Sequence, residues 1–519
     1  MWPLIDQLVQ QGVTDFFLAS GSHSTPLVLA AARHPKARIY RHFDERALGF
    51  YAMGCALGKE APVAILITSG TAVANLMPAV MEASLASIPL LLLTADRPSE
   101  LRDTSANQTT DQIKLFENLV RWQFDFDPTM PEAATRSKAA HAVFRARAPH
   151  PGPVQLNCPL REPLYPLQEG KEGKPISLIL SHSAPLPPKT LPPRGLVLIG
   201  ALPKRADITA VLALAHQLQW PVFADIRSNA RLHPTHEQIR HYDWIFDPPK
   251  PDCILHFGER LTSKRLMEWL SIGKPHYIHI SPHNHWFDPF HLLSERIVSE
   301  IGATRFQNTP DPDWLPRWKE LDSAAQERLA SVEAAGTETE IFRELSTLPL
   351  DPYAIFLGAS MPIREGDWFL FPKRAKAFFS NRGASGIDGN IATAVGLAEG
   401  LQSPVLAIIG DLTALHDLNA FALVRASKQP IVLLISNNYG GGIFSHLPIA
   451  KAPRFEELFA FAHEFEFKSA AQMFGLPYET DLKTALQAKR SCVVELINRR
   501  EENARYHQQL REACLLAPV

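Results

Sequence analysis

The chain has 519 residues, 46% apolar and 20% charged, with a formal net charge of −2 at pH 7. That length supports about two to four domains, and the near-neutral balance argues against nucleic acid or an anionic membrane as the main partner. The five cysteines (Cys55, Cys158, Cys253, Cys492, Cys514) are scattered and contain no CxxC pair, so they read as reduced thiols and not as a disulfide or zinc framework.

The opening MWPLIDQLVQQGV carries Asp6 and no basic lead, and reads as a first helix (Leu4–Gln11) instead of a signal sequence. A strand at Asp15–Ala19 follows, and Gly21-Ser22-His23-Ser24-Thr25-Pro26 opens a second helix. Next come a strand at Arg38–Tyr40, a helix from Glu45, the strand Val63–Thr68, a turn at Ser69-Gly70-Thr71 and the strand Pro89–Thr94. No apolar run is long enough to span a bilayer; SIPLLLLTA reads as a buried strand. Residues 166–194 are rich in Pro, Lys and Gly and read as a linker. A second alternating unit starts at Gly195 (GLVLIG, PVFADI, DCILHFG, HYIHIS). Residues 305–338, with Trp314 and Trp318, read as a helical connector, and a third unit closes with CVVELI. The expected fold is α/β: three doubly wound parallel-sheet domains at 1–165, 195–338 and 339–519. The composition and this soluble plan point to a cytoplasmic protein.

The densest chemistry lies at 405–444. A strand (Val405–Ile409) ends in Gly410-Asp411, a helical segment carries Leu415, Leu418 and Ala422, and a second strand (Ile431–Ile435) ends in Asn437-Asn438-Tyr439-Gly440. Parallel strands place both ends on one sheet edge, so Asp411 and Asn438 can converge. A carboxylate, an amide oxygen and a backbone carbonyl suit a hard cation such as Mg²⁺. This stretch resembles the diphosphate-magnesium motif of thiamine diphosphate (ThDP) enzymes, with Leu412 where Gly is usual. The resemblance implies that Asp411, Asn438 and the Gly440 carbonyl hold Mg²⁺, with Mn²⁺ able to substitute. The three-domain plan fits the same superfamily.

In ThDP enzymes one glutamate of the first domain hydrogen-bonds the aminopyrimidine ring, and the resemblance assigns that role to Glu45 in His42-Phe43-Asp44-Glu45-Arg46. The chemistry asks for a buried carboxylate with a raised pKa. In the superfamily this Glu and the Mg²⁺ motif come from different subunits, which implies a homodimer or homotetramer. Four further motifs narrow the resemblance: Gly21-Ser22-His23-Ser24-Thr25-Pro26-Leu27, His42 to Arg46, Thr94-Ala95-Asp96-Arg97-Pro98 with Ala106-Asn107-Gln108, and Ser380-Asn381-Arg382-Gly383-Ala384-Ser385-Gly386-Ile387-Asp388-Gly389. With Gly410-Asp411-Leu412 they resemble the 2-succinyl-5-enolpyruvyl-6-hydroxy-3-cyclohexene-1-carboxylate (SEPHCHC) synthases of menaquinone biosynthesis.

That family joins 2-oxoglutarate, after decarboxylation, to isochorismate. Both are polyanions, which Arg suits through its two-pronged donor geometry. The resemblance implies a substrate site of Ser22, His23, Arg97, Asn107, Gln108, Lys264, Ser360, Arg364 and Arg382, with Gln108, Arg364 and Arg382 beside Glu45 in catalysis. Ile387 is implied as an apolar wedge beneath the cofactor, and Ile443, Phe444 and Leu447 as an apolar wall. Core packing stays open as the alternative for Ile387, and helix packing accounts equally well for the other three. One departure stands out: the family carries Arg where this chain has His23. His is mostly neutral at pH 7, and a substrate carboxylate beside it would raise its pKa and restore one charged donor. Thr109-Thr110-Asp111 likewise replaces a basic position. Two other readings stay open: a ThDP-dependent 2-oxoacid decarboxylase or carboligase with a different acceptor, and a non-catalytic regulatory member.

Overall fold

The runs VAILI (Val63–Ile67), LLLLTAD (Leu90–Asp96) and VLAIIG (Val405–Gly410) are apolar at almost every position, not at alternate ones. Such runs belong to strands covered on both faces, which parallel connections through helices produce. In the computed structural model of the chain they are central strands of two six-stranded sheets. The structure describes residues 1–515 apart from 128, 166–172, 174–175, 177–187, 204–205, 284–285 and 302–304.

Every strand pair is parallel among the described residues. The first sheet runs Arg38–Arg41, Asp15–Leu18, Val63–Ile67, Leu90–Asp96, Val154–Pro159, Trp122–Asp125 from edge to edge. The last sheet runs Ala377–Phe379, Ala354–Leu357, Val405–Gly410, Ile431–Asn437, Cys492–Ile497, Tyr478–Glu479. Numbered within its own sheet, each follows the order 2-1-3-4-6-5, so the two are topological copies. Between them in sequence lies a five-stranded sheet: Leu293–Val298, His276–Ser281, Cys253–Phe257, Gly195–Ile199, Val222–Ala224. The α/β doubly wound class expected from the sequence is the observed one.

Equivalent helices join the two copies. The helix Glu45–Lys59 follows the second strand of the first sheet, and Asn390–Leu401 follows the second strand of the last. They cross at backbone contact distance through glycines on both sides. A Cβ at Gly54 would lie 2.1 Å from the Thr393 carbonyl oxygen, and one at Gly396 would lie 2.0 Å from the Tyr51 oxygen. No side chain fits there without parting the helices. Gly54→Val is therefore expected to cost more than ~4 kcal/mol and leave little soluble protein. Soluble yield and a thermal scan check this; a wild-type Tm would show that the crossing can open cheaply.

Three local expectations are revised. The expected continuous helix after Asp411 is broken into Asp411–His416, a 3₁₀ turn at Leu418–Ala420 and Phe421–Ala426. The cause is Asp417, which turns inward and accepts the Ile391 and Ala392 N–H groups (2.9 and 3.0 Å) at the start of the Asn390–Leu401 helix. Trp314 and Trp318 are buried in the helix Trp314–Ala330, so the connector is packed against the middle domain. Most of the expected linker lies outside the described residues, but its end, Lys189–Thr190, pairs in parallel with Phe306–Gln307.

Candidate active site

Because the strands are parallel, their C-terminal ends share one edge of each sheet, where open α/β folds place ligands. In the first sheet that edge carries Ser22 and His23, Glu45, and Arg97, after strands 1, 2 and 4 of its order. In the last sheet it carries Ser360, Arg382 with Ile387, Asp411 with Leu412, and Asn438 with Gly440, after strands 1, 2, 3 and 4. The sequence motifs thus occupy matching positions of two copies of one topology.

Asp411 and Asn438 meet as expected. The buried Asp411 carboxylate accepts N–H groups from Leu412 (2.6 Å), Asn438 (3.1 Å) and Gly440 (2.9 Å). Burial pushes its carboxyl pKa up; the Gly440 and Leu412 donors and nearby His463 oppose that shift. The Asn438 side-chain oxygen is buried and has no hydrogen-bond partner. A buried acceptor left unsatisfied beside a carboxylate suits a cation that takes oxygen donors. Among the described residues no cluster of three His, Cys, Asp or Glu side chains could hold a metal, so an ion at this edge would draw on amide and backbone oxygens. His463, which sequence reasoning missed, is buried with Nε2 3.4 Å from Asp411 Oδ2. Arg500, at the start of the last helix, clamps the loop from behind through the Tyr439 carbonyl.

The second feature is cationic. Arg382 lies among Arg227, Arg260 and Arg364; burial first, then these three neighbours, lower its pKa to about 10. It stays charged at pH 7, and its Nε has no partner. Asp225 pairs with Arg227 (3.1 Å) and offsets one of the four charges. Arg364 donates to the Ser360 carbonyl. Ser360 itself holds φ +70°, a left-handed conformation costly for a residue with a Cβ and typical of functional turns.

The loop bearing Arg382 and Ile387 is held by residues the sequence did not single out. Glu82, buried in the helix Met77–Leu85 of the first domain, accepts the N–H groups of Gly383 (2.6 Å), Ala384 (2.6 Å) and Ser385 (3.0 Å). Arg260 of the middle domain donates to the Gly383 carbonyl (2.7 Å). The loop is therefore tied to all three sheets. A cavity of about 650 Å³ adjoins it, lined by Arg227, Arg260, Arg382 and Glu82 among others, but by none of Glu45, Arg97, Asp411 or Asn438.

Arg97 gathers the expected first-domain residues. Its Nε donates to the Asn107 carbonyl (3.3 Å) and Nη2 to Gln108 Oε1 (3.4 Å), while Nη1 meets His23. His23 is among them. The residue is 2% exposed, and burial lowers its pKa, with Arg97 adding to the effect. Facing a guanidinium instead of a carboxylate, it does not supply a charged donor. Lys264 starts the helix Lys264–Gly273, its side chain is 83% exposed, and it pairs with Glu268 (3.1 Å). Arg260, four residues earlier, is the buried cation of that segment. Glu45 is the first residue of its helix, behind the capping Asp44, and is half-buried within the chain, short of the full burial expected. Phe444 (37% exposed), in the short 3₁₀ segment Gly442–His446, and Leu447 (46%), just after it, lie on the surface, so helix packing does not account for them.

Comparison with known proteins shows the family. Residues 3–115 match the family described as thiamine pyrophosphate enzyme, N-terminal TPP binding domain, and residues 189–357 match the middle domain of thiamine pyrophosphate enzymes. Among curated relatives, proteins named SEPHCHC synthase from Rubrobacter xylanophilus, Salinibacter ruber and Listeria innocua are 37%, 36% and 35% identical. The alignments cover 98%, 98% and 99% of this chain and 96%, 95% and 97% of those proteins.

Proposed function

Because this chain belongs to the SEPHCHC synthase family of ThDP enzymes, we propose that it decarboxylates 2-oxoglutarate and adds the remaining succinyl unit to the alkene of isochorismate, yielding SEPHCHC and CO₂ for menaquinone biosynthesis. The observation that carries the substrate assignment is the cluster of Arg227, Arg260, Arg364 and Arg382, in which Arg364 and Arg382 pair with no carboxylate among the described residues while Asp225, Glu82 and Glu259 act on Arg227 and Arg260. Like charges are gathered in a protein interior where an anion is to be held. We also keep the division 1–165, 195–338 and 339–519, since each stretch carries one sheet.

ThDP, when bound, supplies the electron sink that stabilises the carbanion left by loss of CO₂. Asp411, Asn438 and the Gly440 carbonyl would hold Mg²⁺ against its diphosphate, with Leu412 alongside; Mn²⁺ accepts the same oxygen donors. Glu45 would share a proton with the ring nitrogen of the cofactor, and Ile387 would lend it an apolar support. Arg382 and Arg364, with Ser360, grip the 2-oxoglutarate carboxylates. Arg97, Gln108, Asn107 and Ser22 receive isochorismate, and Ile443, Phe444 and Leu447 exclude water over the reacting carbon.

The assembly is a homodimer or homotetramer. Phe43 beside Glu45, and Phe461 and Phe465 on either side of His463, are all exposed in the single chain. Apolar surface flanking both halves of the site suits coverage by a second copy. No helix among the described residues is long and apolar enough to cross a membrane; we propose a cytoplasmic location.

The test mixes protein with ThDP, Mg²⁺, 2-oxoglutarate and isochorismate and follows CO₂ release and isochorismate loss together. Coupled consumption is expected, falling at least about a hundredfold in Glu45→Gln, the scale of a lost acid–base group. The replacement of a family Arg by His23 favours a second reading with another acceptor; CO₂ release with isochorismate untouched would select it. No CO₂ under any condition would remove the enzymatic scheme.

A further inference from the structure

His23 sits between two groups of opposite hydrogen-bonding character. Its Nε2 lies 2.8 Å from the Asp96 carbonyl oxygen, and its Nδ1 meets Nη1 of Arg97. A carbonyl only accepts and a guanidinium only donates. The ring proton therefore resides on Nε2, and Nδ1 offers its lone pair to Arg97. This arrangement admits one tautomer and no charge. Arg97 is held at two further points, by the Asn107 carbonyl and Gln108 Oε1, leaving one N–H on each terminal nitrogen for another acceptor.

We propose that His23 is a positioning residue: as a neutral acceptor it orients the Arg97 guanidinium toward a carboxylate of the acceptor substrate, and does not bind that carboxylate itself. The identity of the carboxylate rests on the function proposed above; the His23–Arg97 pair does not. In this chain the loss of the family arginine is compensated by fixing the cation that remains.

The pair carries a pH signature whose sign separates the two roles. The charged groups facing His23 are Arg97 and the buried Asp96 carboxylate, which is already bound by Arg102 (2.8 Å) and Asn157 (2.9 Å). The Leu160 backbone is the other polar group at the ring, and Asp125 is reached only through Arg102 and Asn157. Burial and Arg97 together hold the ring below its ordinary value of 6.5. It is thus neutral at pH 7 and above. Acidification adds a second N–H that points at the guanidinium and drives Arg97 out of place. A histidine that bound the substrate carboxylate directly would instead bind better as it became charged.

The experiment measures kcat and KM for isochorismate from pH 5 to 8.5 in the full-length protein saturated with ThDP, Mg²⁺ and 2-oxoglutarate, comparing wild type, His23→Asn and His23→Leu. Asn places Oδ1 where Nδ1 was and cannot ionise; Leu fills the space and offers no acceptor. In wild type, KM is expected to rise below about pH 6 with kcat steady. Asn should keep KM within about threefold at pH 7.5 and lose the acid limb. Leu should raise KM about tenfold or more at every pH, the scale of one lost charged hydrogen bond. A wild-type KM that falls on acidification, or a Leu variant with unchanged KM, overturns the proposal. Imidazole ¹⁵N shifts, assigned to His23 by their absence from the Asn variant, give a readout independent of turnover. An Nε2-protonated neutral ring at pH 7.5 is expected; an Nδ1-protonated or doubly protonated ring overturns the pair. This second readout stands if isochorismate is not the acceptor or if the Leu variant does not fold.

Discussion

Asp411→Ala is expected to lower turnover about a thousandfold or more at ordinary Mg²⁺ and ThDP concentrations. The carboxylate is the one anionic group among the proposed protein ligands, and an ion held there would be worth several kcal/mol, with about 1.4 kcal/mol per decade of rate. Alanine also strands the N–H groups of Leu412, Asn438 and Gly440, which now share the carboxylate. A structural loss alone would therefore mimic part of the effect. Asp411→Asn separates the two: its amide oxygen can still accept one of those N–H groups but presents no charge to a cation. Both variants should lose the thermal stabilisation that ThDP with Mg²⁺ confers on the wild type, while the ligand-free Tm of the Asn variant falls less than that of the Ala variant. An Asn variant still stabilised by ThDP with Mg²⁺ as strongly as wild type would remove Asp411 from the metal site.

Glu82→Ala should produce the second largest effect. Three backbone donors of the Arg382 loop, Gly383, Ala384 and Ser385, converge on this one carboxylate where the first and last sheets meet. Each buried donor left without a partner costs ~1–3 kcal/mol, so a total of about 3 kcal/mol or more is expected, a fall in Tm of roughly 6–12 °C. kcat/KM should fall with it, because the loop carries Arg382. Glu82→Gln keeps one acceptor oxygen and should recover part of the stability. A thermal scan paired with steady-state kinetics checks this, and an Ala variant unchanged in both would mean that the loop is held by Arg260 alone.

Glu82 also illustrates what could be read from sequence and what could not. The strands were legible because burial on both faces leaves uninterrupted Val, Ile and Leu runs, as at Val63–Ile67. The meeting of Asp411 and Asn438 was legible because Gly-Asp and Asn-Asn terminate two such runs, and parallel topology brings strand ends together. Glu82 gave no such signal: it sits mid-helix, 301 residues before the loop it caps. His463 likewise reaches Asp411 from a stretch of mixed Phe and Glu with no periodic pattern. Arg260 and Lys264 are two cations four residues apart, and only tertiary burial decides which of them faces inward. His23 was judged by its charge against arginine, whereas its role follows from the guanidinium and carbonyl on either side. Asp417, read as part of a continuous helix, breaks that helix because another helix supplies it with two free N–H groups.

The glycine crossing between Glu45–Lys59 and Asn390–Leu401 has a consequence for how the chain is made. Gly54 and Thr393 are 339 residues apart in sequence, so during synthesis at about 5–20 residues per second the first helix waits roughly 20–70 s for its partner. That helix is buried along most of its length in the finished molecule. Throughout the wait it offers Phe50 and the face around Gly54 and Gly58, which Gly389 and the Asn390–Leu401 helix later cover, to the surrounding solution, on a nascent chain still tethered to the ribosome. Yield in the cell is thereby tied to translation speed and to the chaperones that shield such surfaces, and slowing elongation over the last third of the message should lengthen the exposure and lower recovery.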